Sequence, residues 1–138
     1  MIRQIDRAGI LRKAEYHEHV QLVDVGGLDS YENFHLPRAI HLPLEELKSR
    51  ARMTLGKEGP EIIIHDDGKG DRAHAAAEVL LTLGYHGIFV YAGGKRDWVR
   101  AGLMTEVHAA PSPAQYNATF PSEMVQPEQI LNPPPLAG

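Results

Sequence analysis

The 138 residues carry 18 acids against 14 lysines and arginines, for a net charge of −4, and contain no cysteine. The length suits one domain with its own core, and the missing thiol excludes disulfides, thiolate metal centres and every cysteine nucleophile. An acidic balance without a Lys/Arg cluster offers nucleic acid no surface, and no window approaches the roughly 18 apolar residues that cross a bilayer. Arg3, Asp6, Arg7, Arg12 and Lys13 interrupt the stretch where a secretory signal would need an apolar run, so a soluble, cytoplasmic protein is expected.

Residues 4–15 read as a first helix, with Asp6 as its cap and Ile5, Ile10 and Leu11 on one face. Gln21-Leu22-Val23-Asp24-Val25 is a short apolar run closed by Gly26-Gly27, which suits a buried strand ending in a loop. Asp29 is placed to cap a short turn of helix through Phe34, and residues 35–40 read as a turn leading into a brief strand. Pro43 stands where a helix begins, with Leu44, Leu47 and Ala51 at helical spacing, before Gly56 to Pro60 break the chain. Ile62–Ile64 is the next strand, followed by an amphipathic helix over about 72–83 that Gly84 terminates. Gly87–Tyr91 is a further strand, and Gly93-Gly94 opens a last helix that ends near Gly102.

Nearly all-apolar strands alternating with helices imply a parallel sheet covered on both faces, an α/β domain over residues 1–106. The composition then changes. Pro111, Pro113, Pro121, Pro127 and Pro133–Pro135 put seven of the ten prolines into residues 107–138, too dense for sustained helix or sheet. This segment is expected to be an extended tail, which Tyr116, Phe120, Met124, Ile130 and Leu131 equip to dock on its own domain or on a protein partner.

The most informative stretch is His65-Asp66-Asp67-Gly68-Lys69-Gly70-Asp71-Arg72, a Gly-rich connection from the Ile62–Ile64 strand into the following helix. Amides at such a helix start can cradle an anion or an anionic nucleophile. Many folds place a reactive cysteine there because the helix end favours the thiolate; this chain has carboxylates instead.

Five islands in order resemble the rhodanese-like domains. Leu22-Val23-Asp24-Val25 resembles the family's first motif strand, and Tyr31–Ile40 its Tyr-x-x-x-His-Ile-Pro-Gly-Ala segment. Leu42-Pro43-Leu44-Glu45-Glu46-Leu47 is similar to the helix start that follows. Ile62–Arg72 is similar to the strand and active-site loop, and Tyr91-Ala92-Gly93-Gly94 with Trp98 to the closing Gly-Gly-x-x-x-Trp motif. The resemblance implies a five-stranded, mainly parallel sheet flanked by helices, and for active members a persulfide carried on a loop cysteine. Here Asp66 takes the cysteine's place if the strand sets the register, and Asp67 if Arg72 closes a six-residue loop. A carboxylate forms no persulfide. The Arg expected after Asp24-Val25 is also replaced, by Gly26, and the Asp-Asp-Gly run resembles the non-catalytic halves of tandem thiosulfate sulfurtransferases.

These residues set three readings side by side. Asp66, Asp67 and Asp71 cap the helix and keep the loop folded; or the segment Asp66, Asp67, Gly68, Lys69, Gly70, Asp71 and Arg72 binds a protein partner or a small anion; or a carboxylate acts as nucleophile in an anion-processing hydrolase or a sulfurtransferase-related enzyme. His65 and His74 are the only nearby groups that could assist the third, and neither has an identifiable orienting partner. A phosphate loop fails because Ile63, Ala51 and Phe89 stand where the first glycine belongs before the three Gly-Lys pairs. His65, Asp66, Asp67, Asp71 and His74 match neither calcium-loop nor helical zinc spacing. Trp98, Phe89 and His35 read as core or turn residues. The expectation is a catalytically inactive rhodanese-like domain, a binding or regulatory module with no catalytic residue, cofactor or metal, that uses the loop and the tail.

Overall fold

The computed structural model describes residues 1–16, 19–55 and 60–107, so residues 108–138 of the Pro-rich tail, with the side chains expected to dock, lie outside the described residues. The elements are β1 (Ile2–Gln4), α1 (Arg7–Glu15), β2 (Val20–Asp24), α2 (Leu28–Asn33), β3 (Ile40–His41), a 3-10 turn at Leu44–Glu46, α3 (Leu47–Leu55), β4 (Glu61–His65), α4 (Asp71–Thr82), β5 (Ile88–Tyr91) and α5 (Gly94–Arg100). The five strands form one sheet in the order β1-β5-β4-β2-β3, and every pairing is parallel. The expected fold class, α/β with a five-stranded sheet between helices, is therefore correct.

Alternation along the strands divides the core into two layers. Val23, Ile62, Ile64, Ile88 and Val90 pack with Leu47, Ala76, Ala77 and Leu80 of α3 and α4. Leu22, Ile63 and Tyr91 pack with Ile10, Tyr31 and Trp98 on the other face. The alanines of α4 let that helix lie close over the central strands. Phe89 is only partly buried at the margin of the second layer, while Trp98 and His35 are core residues as expected. No helix among the described residues is long and apolar enough to cross a membrane.

Two local expectations need correction. Residues 4–15 are not one helix: Ile2–Gln4 pair in parallel with Ile88–Val90 as an edge strand, and the helix starts only after Asp6, whose carboxylate accepts the Gly9 amide at 2.7 Å. Asp29 does not cap α2. Gly27 holds that position without a side-chain bond, and Asp29 lies in the first turn, where its charge still favours the helix dipole.

Candidate functional site

The connection from β4 to α4 lies at the carboxyl end of the sheet, beside the turn that follows β2. Its centre is Asp66, only 3% exposed. One carboxylate oxygen accepts the amides of Gly68 at 2.9 Å and Gly70 at 3.0 Å; the other accepts Ala73 at 3.2 Å. Ala73 is the third residue of α4, and Gly70, at the N-cap, has no side chain to offer. Asp66 thus caps the helix from seven residues upstream, filling the cradle with the chain's own anion. Gly70 holds φ at +87°, a left-handed conformation that turns its amide inward at no steric cost.

Asp67 goes the other way. Its side chain is 61% exposed, accepts the Ser30 hydroxyl at 2.6 Å and lies 3.6 Å from Lys95 Nζ. The acid at the centre of the loop is therefore Asp66. Lys95 is a buried cation that the sequence did not single out. Its ammonium donates to the Ser30 carbonyl and hydroxyl, each at 2.7 Å, and to the Phe34 carbonyl at 2.8 Å, and stands 4.4 Å over the Phe34 ring. It ties the end of α2 to the start of α5. The Gly93-Gly94 pair makes this possible: a Cβ on Gly94 would lie 2.4 Å from the Asp66 carbonyl oxygen. Without one, the backbone of α5 presses on the loop, and the Lys95 and Arg96 amides donate to Asp66 and Asp67 at 3.1 Å.

Asp71 and Arg72 belong to α4 rather than to the loop, and Arg72 turns away from the cradle. Its guanidinium donates to the Val25 carbonyl at 3.0 and 2.8 Å and pairs in bidentate fashion with Glu45, both contacts at 2.9 Å. Each charge favours the other, so Glu45 titrates below the usual carboxylate range and Arg72 above its ordinary value. Asp66, Asp67, Lys69, Glu45 and Arg96 line a cleft of about 560 Å³ with Gly26 and Gly27. Lys69, Asp71 and Arg96 are exposed there.

The two histidines do not converge on Asp66 or Asp67. His65 is buried, with Nδ1 3.4 Å from the Asp66 carbonyl oxygen and Nε2 without a hydrogen-bond partner. His74 is exposed on α4, 3.5 Å from Glu78. Asp24, level with His65 on the neighbouring strand, keeps one oxygen for the Gly26 amide at 2.9 Å and leaves the other buried without a partner. Among the described residues, no three His, Asp or Glu side chains gather as a metal ion would need. His35 stacks on Tyr31 with ring centroids 3.8 Å apart; its Nδ1 lies 2.9 Å from the Tyr31 carbonyl, and burial lowers its pKa.

The family model described as the rhodanese-like domain matches residues 8–101. A Bacillus subtilis strain 168 protein designated a candidate sulfur carrier, YrkF, is 29% identical over 97 residues, covering 70% of this chain and 51% of its own length. This chain therefore spans about half of that curated relative. The crystal structure of thiosulfate sulfurtransferase from Pseudomonas aeruginosa superposes with a TM-score of 0.65 and 28% identity, over 72% of this chain but 19% of that one. The rhodanese-like domain of the Alr3790 protein from Anabaena gives a TM-score of 0.69 at 23% identity, over 81% of this chain and 86% of that one.

Proposed function

This chain belongs to the rhodanese-like domain family, and from that premise we propose that it is a member without sulfur-transfer chemistry, a binding module that recognises a protein partner through the cleft over Asp66–Arg72. One observation carries the reading: both oxygens of Asp66 are engaged by the Gly68, Gly70 and Ala73 amides, the donors that an external anion or a thiolate would use. A carboxylate so held is a poor nucleophile, because its charge is spent on amide hydrogen bonds. The sulfur carriage in YrkF's designation does not pass to this chain, since an oxygen cannot hold sulfane sulfur.

The cleft's rim supports a protein surface as the occupant. It carries both signs of charge on Lys69, Arg96 and Asp71, and Leu28, next to the cleft-lining Gly27, is 56% exposed. A rim with both signs of charge suits the complementary surface of a protein better than a single small anion. In this reading residues 1–106 form the domain, and the Pro-rich segment 107–138 supplies a second recognition element.

The test is thiocyanate formation from thiosulfate and cyanide by the purified full-length protein. No turnover above background is expected; turnover would overturn the proposal. Asp66→Cys should gain a thiol that displaces sulfite from thiosulfate and keeps the outer sulfur as a persulfide, visible as added mass, and Asp67→Cys should not.

A further inference from the structure

Beneath the cleft, the ends of four adjacent strands carry a polar row. His41 of β3, Asp24 of β2, His65 of β4 and Tyr91 of β5 stand in register from one strand to the next. Leu22 and Ile63, two residues before Asp24 and His65, belong to the second core layer, as does Tyr91, so the row points into that layer. His41 joins it by stacking on Tyr31, with ring centroids 4.8 Å apart.

Asp24 and His65 are fully buried, and each keeps one polar atom unpaired, Oδ2 and Nε2. With Nδ1 turned to the Asp66 carbonyl, the neutral His65 ring carries its hydrogen there and leaves Nε2 as an acceptor. The carboxylate oxygen is an acceptor too. Two buried acceptors on paired strands, with no donor between them, weaken the fold. An asparagine at position 24 could donate to Nε2, whereas the aspartate leaves the pair one proton short.

Both walls of the cleft hang on this pair. Asp24 Oδ1 accepts the Gly26 amide at 2.9 Å, the His65 carbonyl accepts the Val25 amide at 3.0 Å, and Asp66 directly follows His65. The other charged groups of this layer are already committed. Tyr91 donates to Asp97, which pairs with Arg7 of α1. Lys95 of α5 is held by Ser30 and Phe34 and faces Asp67 at 3.6 Å. His41 Nε2 lies 2.9 Å from the Gly26 carbonyl, and His35, within the field of Asp24, has its Nδ1 on the Tyr31 carbonyl.

We propose that Asp24 and His65 form a buried proton switch under the cleft. One proton from solvent binds His65 Nε2 and turns it into a donor to Asp24 Oδ2, while Asp24 stays a carboxylate. The new bond draws β2 and β4 together at their ends and resets the spacing of Gly26 and Gly27 from Asp66–Gly68. Its meaning as regulation rests on the cleft being the binding surface; the proton site does not.

The test follows the full-length protein without a partner, by ring nitrogen shifts of His65 and amide shifts of Gly26, Gly27 and Gly68, from about pH 8 to about pH 5. His65 Nε2 should take up a proton, and the three amides should move with the same midpoint. Asp24→Asn should lower the proton affinity of His65 about tenfold. His65→Gln should abolish the common transition at the amides, while His35 and His41 keep their own titrations. A His65 ring that stays neutral throughout, a midpoint unchanged in Asp24→Asn, or amides that follow His41 in the His65→Gln protein would each overturn the switch. The thiocyanate assay is blind to this proton, so either result can fail without the other.

Discussion

Asp66 Oδ2 accepts the amide of Ala73 at 3.2 Å, so the first turn of α4 is capped by a side chain that precedes the helix rather than by its own N-cap residue. With Gly68 and Gly70 on the other oxygen, one buried carboxylate satisfies three amides. Asp66→Ala should therefore cost about 2 kcal/mol of folding stability, and Asp66→Asn, which keeps one acceptor oxygen, about half as much. Urea denaturation checks both. Equal losses would mean that the amides are not held by the second oxygen.

Lys95 predicts a larger effect from a residue with no direct part in the cradle. Its ammonium is held by three acceptors from α2 and its C-terminal end, and its side chain is 4% exposed. Lys95→Met keeps the stem but leaves the Phe34 carbonyl and the Ser30 hydroxyl oxygen without their donor, while the Ser30 carbonyl keeps the Phe34 amide at 3.3 Å, a loss of about 3 kcal/mol. Asp67→Asn removes only a partly solvated charge and should cost less than about 1 kcal/mol. Thermal melts of the two variants side by side would test the ranking.

The elements that were legible in the sequence are those with long apolar patterns: β2, β4, β5 and α4 fall, to within a residue or so, where the runs Gln21–Val25, Ile62–Ile64 and Gly87–Tyr91 and the alanine-rich stretch place them. β1 was not, because Ile2-Arg3-Gln4 has one partly buried apolar residue and becomes a strand only by pairing with β5, which lies 86 residues on in register. The choice between Asp66 and Asp67 was hidden in composition, since neighbouring acids are chemically alike. Strand parity held a signal: Ile62 and Ile64 face the layer that contains α4, and Asp66 continues that alternation toward the helix start. Lys95 carried none, because its acceptors come from a segment more than 60 residues earlier.

Arg72 and Glu45 predict an asymmetric pair. Glu45→Gln removes an exposed partner and should leave the loop intact, because Arg72 still donates to the Val25 carbonyl. Arg72→Met removes those donors as well. The Leu44 amide at 3.3 Å remains on Val25, which limits the loss to about 1 kcal/mol. Equal destabilisation by both substitutions, in urea at neutral pH, would show that the ion pair rather than the carbonyl contact holds Arg72.

His35 makes the stability of the fold depend on pH in a defined direction. Burial lowers its folded-state pKa below the ordinary histidine value of 6.5, although the Tyr31 carbonyl and the charges of Glu106 and Asp24 oppose the shift. The unfolded chain thus binds the proton more readily, and stability rises with pH across this range. The contribution is fully present above about pH 6.5 and is lost as the pH falls through the lower folded value. With a carbonyl as its partner, Nδ1 is the nitrogen that carries the proton of the neutral ring, donating to Tyr31. His35→Phe keeps the stack on Tyr31 and removes the titration. It should be less stable than the parent at pH 8, where the hydrogen bond counts, and the difference should narrow toward pH 5. Urea midpoints measured at half-unit steps across that interval decide the matter, and a gap that widens on acidification would contradict the sign.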